Sequence, residues 1–183
     1  MRAHGHDVQG SLANSGAIFG YPALHHELQR PGIALYGCNP FYGTAWENKA
    51  LGLKPTMEVS TRLLQIRSIG AGQTVSYGRT FTATRNMRIG IVAAGYADNY
   101  SRGLSNTAQM LVCGKRVPVL GRVCMQLTAV DRSRVPEARE GESVYLLGGA
   151  GPNPILPEEL AAWWQTITYE VFCQLGQNPR EYR

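Results

Sequence analysis

The chain has 183 residues, of which 44% are hydrophobic and 17% are charged, and its formal net charge is +5 at pH 7. This length suffices for one domain, or for a small domain plus part of another, with a buried core. No apolar run approaches the roughly 18 residues of a membrane-spanning helix, and residues 1–9 are too polar for a signal peptide, so we expect a soluble, cytoplasmic protein.

Charge and reactive side chains argue against two further kinds of site. The 18 Lys and Arg residues are spread singly, without a basic run or a basic motif studded with aromatic residues, so nucleic-acid binding is not expected. A few Arg residues could instead serve a pocket for an anionic small molecule. The four cysteines are widely spaced without a CxxC pair, which predicts reduced thiols. We predict no metal site, because no carboxylate or cysteine supports the histidines, which are His4, His6, His25 and His26.

Up to about residue 45, short apolar stretches alternate with possible helical segments. The stretches follow the rhythm of βα units: GSLANSGAIF (10–19), ALHHEL (23–28) and GIALYG (32–37). After Arg30, a Pro31-Gly32 turn runs into residues suited to a buried strand. Two βα units cannot close a barrel, since parallel strands need neighbours that cover them. We therefore expect residues 1–45 to be the end of a larger α/β domain.

From Leu53 onward the pattern is mostly strand-like. Apolar runs, some of them alternating with polar residues, predict strands over 57–69, 74–81, 87–95, 110–113, 117–123 and 143–147. Gly114-Lys115 predicts a hairpin turn. Pro157, followed by two Glu residues, starts a predicted helix that runs through residue 167, because Pro suits the first turn and acidic side chains suit the positive end of the dipole. Residues 46–183 are thus predicted to form a β-rich, barrel-like domain.

Seven short motifs occur in a fixed order along the chain: ANSG (13–16), RPGIALYG (30–37), VSYG (75–78), GYAD (95–98), LSN (104–106), GRVCM (121–125) and YEV (169–171). Their order and approximate spacing resemble alanine racemase, the pyridoxal-phosphate enzyme that interconverts L- and D-alanine and supplies D-alanine for peptidoglycan. The resemblance covers essentially the whole chain. It implies the last βα units of the family's TIM (β/α)8 barrel, followed by the family's β-rich C-terminal domain.

The resemblance implies a set of cofactor-binding residues. Ser15, Gly32, Ile33 and Tyr169 correspond to the residues that hold the cofactor phosphate, and TIM barrels commonly bind phosphate at the loops after their last strands. Arg30 corresponds to the residue that faces the pyridine nitrogen. A guanidinium does not readily give up a proton, so the ring nitrogen would stay largely unprotonated. Apart from the resemblance, Arg30, Pro31 and Gly32 could simply form a turn before a core strand.

Racemisation needs acid/base groups on both faces of the α-carbon. The resemblance assigns one face to the cofactor lysine and the other to Tyr77. It also implies that Tyr96 narrows the entrance, that the Met125 amide helps hold the substrate carboxylate, and that Arg102 and Arg122 line the channel. Without the resemblance, Tyr77 could instead be packed in a strand, Tyr96 could be a core aromatic residue and Met125 a buried side chain. Arg102 and Arg122 could be solvated charges.

The family forms a head-to-tail homodimer with an active site shared between subunits. By the resemblance, Tyr77, Tyr96 and Met125 would serve the partner's cofactor. The residues that would bind their own subunit's cofactor are Ser15, Arg30, Gly32, Ile33 and Tyr169. The family's cofactor lysine lies near the start of its barrel, and Lys49, Lys54 and Lys115 occupy none of the matching motifs. We therefore expect this chain to be a C-terminal fragment that does not racemise alanine alone.

Several positions depart from the family's usual pattern. Gln126 and Leu127 stand where Asp and Gln are usual, which removes a carboxylate beside the substrate site. Asn99 replaces a Gly after GYAD, Ser11 replaces a His ahead of ANSG, and Thr168 replaces an Asn before YEV. These changes bear on substrate positioning and on the charge of the channel.

Three functions remain open at this point. The first is a racemase, represented by its C-terminal part. The second is a non-catalytic β-domain protein, derived from the enzyme, that dimerises or binds a partner. The third is a small β-barrel that binds nucleic acid, which only the net charge suggests. The motifs favour them in that order.

Overall fold

The structure is a computed structural model that describes residues 4–50 and 52–182. The chain forms two compact units that divide after Thr56. The sequence places the corresponding change earlier, near residue 45. Residues 1–3, 51 and 183 of the two predicted domains lie outside the described residues.

The first unit contains a strand, a helix and a second strand. Strands β1 (Ser11–Asn14) and β2 (Leu28–Arg30) are parallel, with Ser11 opposite Leu28 and Asn14 opposite Arg30. Helix α1 (Ser15–Gly20) lies between them in the chain, and 3-10 turns follow at Pro22–Leu24, Ile33–Tyr36 and Glu47–Ala50. The parallel pairing brings the carboxyl ends of both strands to one edge, which places the residues after Asn14 and after Arg30 side by side.

The prediction of a buried strand after Gly32 is wrong. Strand β2 ends at Arg30, and Ile33–Tyr36 is a 3-10 turn in which Ile33 is buried but Leu35 and Tyr36 are 65% and 51% exposed. The backbone groups bond within the turn, since Leu35 N–H donates to the Gly32 carbonyl at 3.0 Å. An apolar run alone does not distinguish a buried strand from a turn that buries one residue.

The second unit is built on a closed barrel. In the described part of the chain, its six strands are β3 Val59–Ile69, β6 Met87–Val92, β7 Gln109–Val112, β8 Lys115–Leu120, β9 Thr128–Asp131 and β10 Ser143–Leu147. They pair antiparallel in the order β10-β3-β6-β9-β8-β7, which confirms the predicted barrel-like domain. Buried apolar side chains of these strands form the core, as expected for a closed sheet.

The predicted strand over 74–81 is a small hairpin instead. Strands β4 (Thr74–Val75) and β5 (Phe81–Thr82) pair antiparallel, and a turn over residues 76–79 separates them. The turn forms because Ser76, Gly78 and Arg79 all have positive φ angles, which no strand residue adopts. Tyr77 therefore lies in a turn and not in a strand.

Two helices follow the barrel, where the sequence predicts one. Helix α2 spans Pro157–Trp164 and ends at Gln165, whose φ of +62° is left-handed, and helix α3 spans Thr168–Leu175. The start of α2 is attached to β8 by an ion pair, because Arg116 Nη1 and Nη2 each lie 2.7 Å from a carboxylate oxygen of Glu159. Within the described residues no helix has the length and apolar character needed to cross a bilayer.

Candidate active site

Three strand ends meet at one rim of the barrel. Val92, the last residue of β6, is opposite Thr128, the first residue of β9, and Leu120 at the end of β8 is opposite Ala129. The loops that follow β6 and β8 therefore leave the barrel at the same rim. These loops carry the GYAD, LSN and GRVCM motifs, so the barrel brings together sequence segments that are far apart in the chain.

The turn that carries Tyr96 lies directly on the loop that carries Met125. Tyr96 N–H donates to the Cys124 carbonyl at 3.0 Å, and Ala97 N–H donates to the Met125 carbonyl at 2.8 Å. A Cβ on Gly95 would lie 2.3 Å from the Cys124 carbonyl oxygen, so the two backbones are in contact and leave no space for a side chain. Among the described residues the Met125 N–H has no hydrogen-bond acceptor, which leaves it able to donate to an anion.

Tyr77 lies on a strained turn. The preceding residue, Ser76, has φ +66° and ψ −178°, a region that residues other than Gly rarely adopt and that costs about 1–3 kcal/mol. The Ser76 hydroxyl donates to the Arg122 carbonyl at 2.6 Å, and its oxygen lies 3.2 Å from Cys124 Sγ. The Tyr77 turn is thereby attached to the same 121–125 loop that contacts the Tyr96 turn.

The LSN motif connects these loops from a third direction. Asn106 Oδ1 accepts from Gly121 N–H at 2.6 Å, while its Nδ2 donates to Thr80 Oγ1 at 3.0 Å. Ser105 Oγ accepts from Val123 N–H at 3.0 Å, and the neighbouring Leu104 is buried. The sequence alone assigns no role to LSN. Its two polar side chains hold together the loops that carry the predicted catalytic and substrate-binding residues.

The predicted side chains at this rim point outward from the core. Tyr77 is 71% exposed, Met125 57% and Tyr96 43%. The alternatives of a packed tyrosine, a core aromatic residue and a buried Met therefore do not describe them. Arg102 is exposed in the 3-10 turn Arg102–Leu104, and Arg122 Nε lies 3.8 Å from the position of a Cβ on Gly78, next to Tyr77.

In the first unit, a buried serine forms a cradle with the segment after β2. Asn14 caps α1 by accepting from Ala17 N–H at 3.0 Å, which fixes Ser15 at the first helical position. Ser15 is buried, and its Oγ accepts from Gly32 N–H at 2.8 Å and from Ala34 N–H at 3.3 Å. Gly32, which the resemblance assigns to phosphate binding, thus donates its amide N–H to Ser15 in this structure.

Two further predicted cofactor residues have distinct surroundings. Arg30 Nη1 donates to both the carbonyl oxygen and the hydroxyl of Ser11, each at 2.7 Å, so two oxygens of one residue hold the guanidinium. Tyr169 lies near the start of α3 in the second unit, with a half-exposed ring. Ser15 bonds to Gly32 and Ala34, so Ile33 lies in the chain between two residues that contact Ser15 within the first unit.

The structure supports neither a metal centre nor a disulfide among the described residues. No group of three or more His, Cys, Asp or Glu side chains there is placed to hold a metal ion. None of the four cysteines, all within the described residues, forms a disulfide, and Cys38 is buried. This agrees with the prediction of reduced thiols.

A family profile described as the C-terminal domain of alanine racemase matches residues 56–182. The chain belongs to the alanine racemase family. A curated alanine racemase from Nitratidesulfovibrio vulgaris strain Miyazaki F is 56% identical over 183 residues, which are 100% of this chain and 49% of that protein. The chain spans about half the length of the curated relatives that it matches.

Solved alanine racemases share this fold. The biosynthetic enzyme of Pseudomonas aeruginosa superposes with a TM-score of 0.86 at 41% identity, over 97% of this chain and 48% of that one. The enzyme of Bartonella henselae, whose structure contains covalently bound pyridoxal phosphate, superposes with a TM-score of 0.83 at 32% identity, over 97% of this chain and 48% of that one.

Proposed function

We propose that this chain supplies the C-terminal part of a pyridoxal-phosphate-dependent alanine racemase. Family membership supports the reaction class, and one observation carries the assignment to these residues. The Tyr77 phenol is exposed on a turn whose strained backbone is attached to the loop of Met125. Packing of the barrel core does not require an exposed phenol on a strained turn at this rim.

The first unit offers residues that suit the cofactor. In this proposal residues 1–45 are the last βα units of a (β/α)8 barrel, and the parallel pairing of β1 and β2 supports that placement. The Ser15 hydroxyl accepts two N–H bonds and keeps its own proton for a phosphate oxygen, with Gly32, Ile33 and Tyr169 as further phosphate-binding residues. Arg30 would donate toward the pyridine nitrogen.

When bound, pyridoxal phosphate acidifies the Cα–H bond of the attached amino acid. The residues of this chain have separate tasks around that bond. The Tyr77 phenol holds or transfers a proton at its Oη on one face of the α-carbon. The Met125 N–H donates to the substrate carboxylate, and the Tyr96 ring limits the substrate side chain to about the size of alanine. Arg102 and Arg122 attract the anionic end of the substrate.

The proposal also includes a cytoplasmic homodimer in which Tyr77, Tyr96 and Met125 serve the partner's cofactor. The exposed rim supports this assembly, because Met125 and Leu127 add apolar surface of 57% and 43% exposure beside the two tyrosines. Sedimentation of the chimaera described next is expected to give a dimer, and a monomer with full activity would contradict the shared site.

The test is a chimaera in which the N-terminal half of the N. vulgaris racemase is joined to this chain. The chimaera is expected to racemise alanine, and the 183-residue chain alone is expected not to. Conversion is measured in both directions by a coupled D-alanine assay. A folded chimaera that binds pyridoxal phosphate, shown by its visible absorption, yet leaves alanine unchanged would contradict the proposal.

A further inference from the structure

We infer that Ser76 is a positioning residue, whose hydroxyl keeps the strained turn in the conformation that presents Tyr77. The inference deepens the proposed function and rests on it for its catalytic meaning. It starts from backbone geometry, since Ser76 has φ +66° with an extended ψ of −178°. An L-residue with a side chain leaves that region unless its surroundings hold it there.

The surroundings of Ser76 supply such a restraint. The hydroxyl donates to the Arg122 carbonyl at 2.6 Å across 46 residues of sequence, and the same oxygen lies 3.2 Å from Cys124 Sγ. Gly121, at the start of the same loop, has no space for a side chain, because a Cβ there would lie 2.6 Å from the Val75 carbonyl oxygen. The loop and the turn are therefore in contact both at Ser76 and at Val75, the residue before it.

The consequence concerns two candidate site residues at once. Tyr77 follows Ser76 directly, and Met125 follows Cys124 directly. One serine hydroxyl thus sets the spacing between the phenol and the amide that would flank the substrate. If the hydroxyl is lost while the Cβ stays, the backbone gains by leaving the strained region, and the phenol moves with it.

This reasoning makes an unusual prediction about two substitutions. Ser76→Ala removes the hydroxyl and keeps the strain, whereas Ser76→Gly removes the hydroxyl and also the strain, because Gly adopts positive φ without a steric penalty. A serine that only fills space would tolerate Ala better than Gly. A serine that holds a strained turn tolerates Gly better than Ala.

The experiment uses the chimaera with Ser76→Ala and Ser76→Gly, and with Ser133→Ala as the matched control. Ser133 is exposed in the turn after β9, at the other end of that strand from the rim. Ser76→Ala is expected to lower kcat by about 10–100-fold, with a smaller change in KM, since a displacement of about 1 Å can cost that much. In Ser76→Gly, kcat is expected to fall by less than about tenfold. In Ser133→Ala, kcat is expected to equal that of the parent chimaera.

Crystal structures of the same variants provide a readout that does not depend on activity. The φ angle of residue 76 is expected to remain near +66° in Ser76→Gly and to leave the positive region in Ser76→Ala, with displacement of the Tyr77 ring. An unmoved ring in Ser76→Ala, or a Gly variant at least as impaired as the Ala variant, overturns the inference. If the parent chimaera lacks racemase activity, the proposed function fails, and the ring position still decides the role of Ser76.

Discussion

The two units build their candidate sites in different ways. In the first unit, two parallel strands end side by side, and one buried serine, Ser15, collects the amides that follow the second strand. In the second unit, loops from separate strand ends are joined by side chains such as Asn106 and by direct backbone contact at Gly95. Strand ends position the first site, whereas loop-to-loop contacts position the second. Single substitutions should therefore be more damaging at the barrel rim than in the cradle.

The largest effect is expected at the phenol itself. Tyr77→Phe in the chimaera removes the hydroxyl without changing the turn, because the ring is 71% exposed and packs little. Racemisation is expected to fall by about 10²–10⁴-fold, the usual contribution of an acid/base group. Steady-state kinetics in both directions measure it. Tyr145→Phe on β10 is the control, and equal losses in the two variants would remove the acid/base role of Tyr77.

The next effect concerns the backbone contact between the Tyr96 turn and the Met125 loop. Gly95→Ala places a Cβ 2.3 Å from the Cys124 carbonyl oxygen, so one of the two loops must move. We expect a loss of about 100-fold in kcat/KM and about 1–3 kcal/mol of unfolding free energy. Gly70→Ala is the matched control, since its Cβ meets no atom closer than 3.7 Å. If Gly95→Ala and Gly70→Ala had the same kcat/KM and the same unfolding free energy, the backbone contact at Gly95 would be dispensable.

The comparison also explains what could be predicted from the sequence. Strands β3 and β10 were predicted nearly at their observed bounds, because polar positions separate the apolar residues of β3 and a Gly/Pro loop follows β10. Strand β9 was missed, since Thr128, Ala129 and Val130 are consecutive buried residues without alternation. Periodicity thus predicted the barrel, but not its strand β9.

The candidate site followed a different rule. Tyr77, Tyr96 and Met125 are proposed from the family motifs, whereas the sequence apart from those motifs favours packing roles for each of them. The connecting roles of Ser76 and Asn106 could not be predicted, because they depend on loops that meet only after the barrel closes. Positive φ at a serine gives no signal in sequence propensities. The physical signal for this site is the contact between loops, which requires the fold.

A smaller effect, on the free energy of unfolding, is expected from the ion pair between Arg116 and Glu159 at the start of α2. Burial raises the pKa of Glu159, but hydrogen bonds from Arg116 and from the Leu156 N–H lower it more, so the pKa lies below its ordinary value of 4.5. A lowered carboxyl pKa stabilises the fold above the unfolded pKa, and this stabilisation is lost as pH falls through the folded pKa. Glu159→Gln is expected to lower the unfolding free energy at pH 7 by about 1–2 kcal/mol.

Urea unfolding of the 183-residue chain at a series of pH values measures this contribution. The difference between the parent and Glu159→Gln is expected to shrink as pH falls below 4.5. Glu137→Gln is the control, because its partner Lys115 is 3.0 Å away but both side chains are about half exposed, so its effect should be smaller. A constant difference between parent and Glu159→Gln down to low pH would exclude the ion pair as its cause.

The smallest effect is expected at Arg30 in the first unit. Arg30 Nη1 donates to two oxygens of Ser11, its hydroxyl and its carbonyl, each at 2.7 Å. Ser11→Ala removes only the hydroxyl, and the backbone carbonyl still holds the guanidinium. We therefore expect kcat/KM of the chimaera to fall by only about two- to fivefold, because the charged guanidinium keeps its hydrogen bond to the Ser11 carbonyl.

Ser11→Ala and Ser76→Ala each remove a hydroxyl that makes one short bond, so they compare the two units directly. Ser11→Ala keeps a second bond to the same guanidinium and leaves no strained residue. Ser76→Ala leaves a strained residue without its restraint. Equal losses of kcat in these two variants would show that the strained backbone at residue 76 has no effect on catalysis beyond the loss of one hydrogen bond.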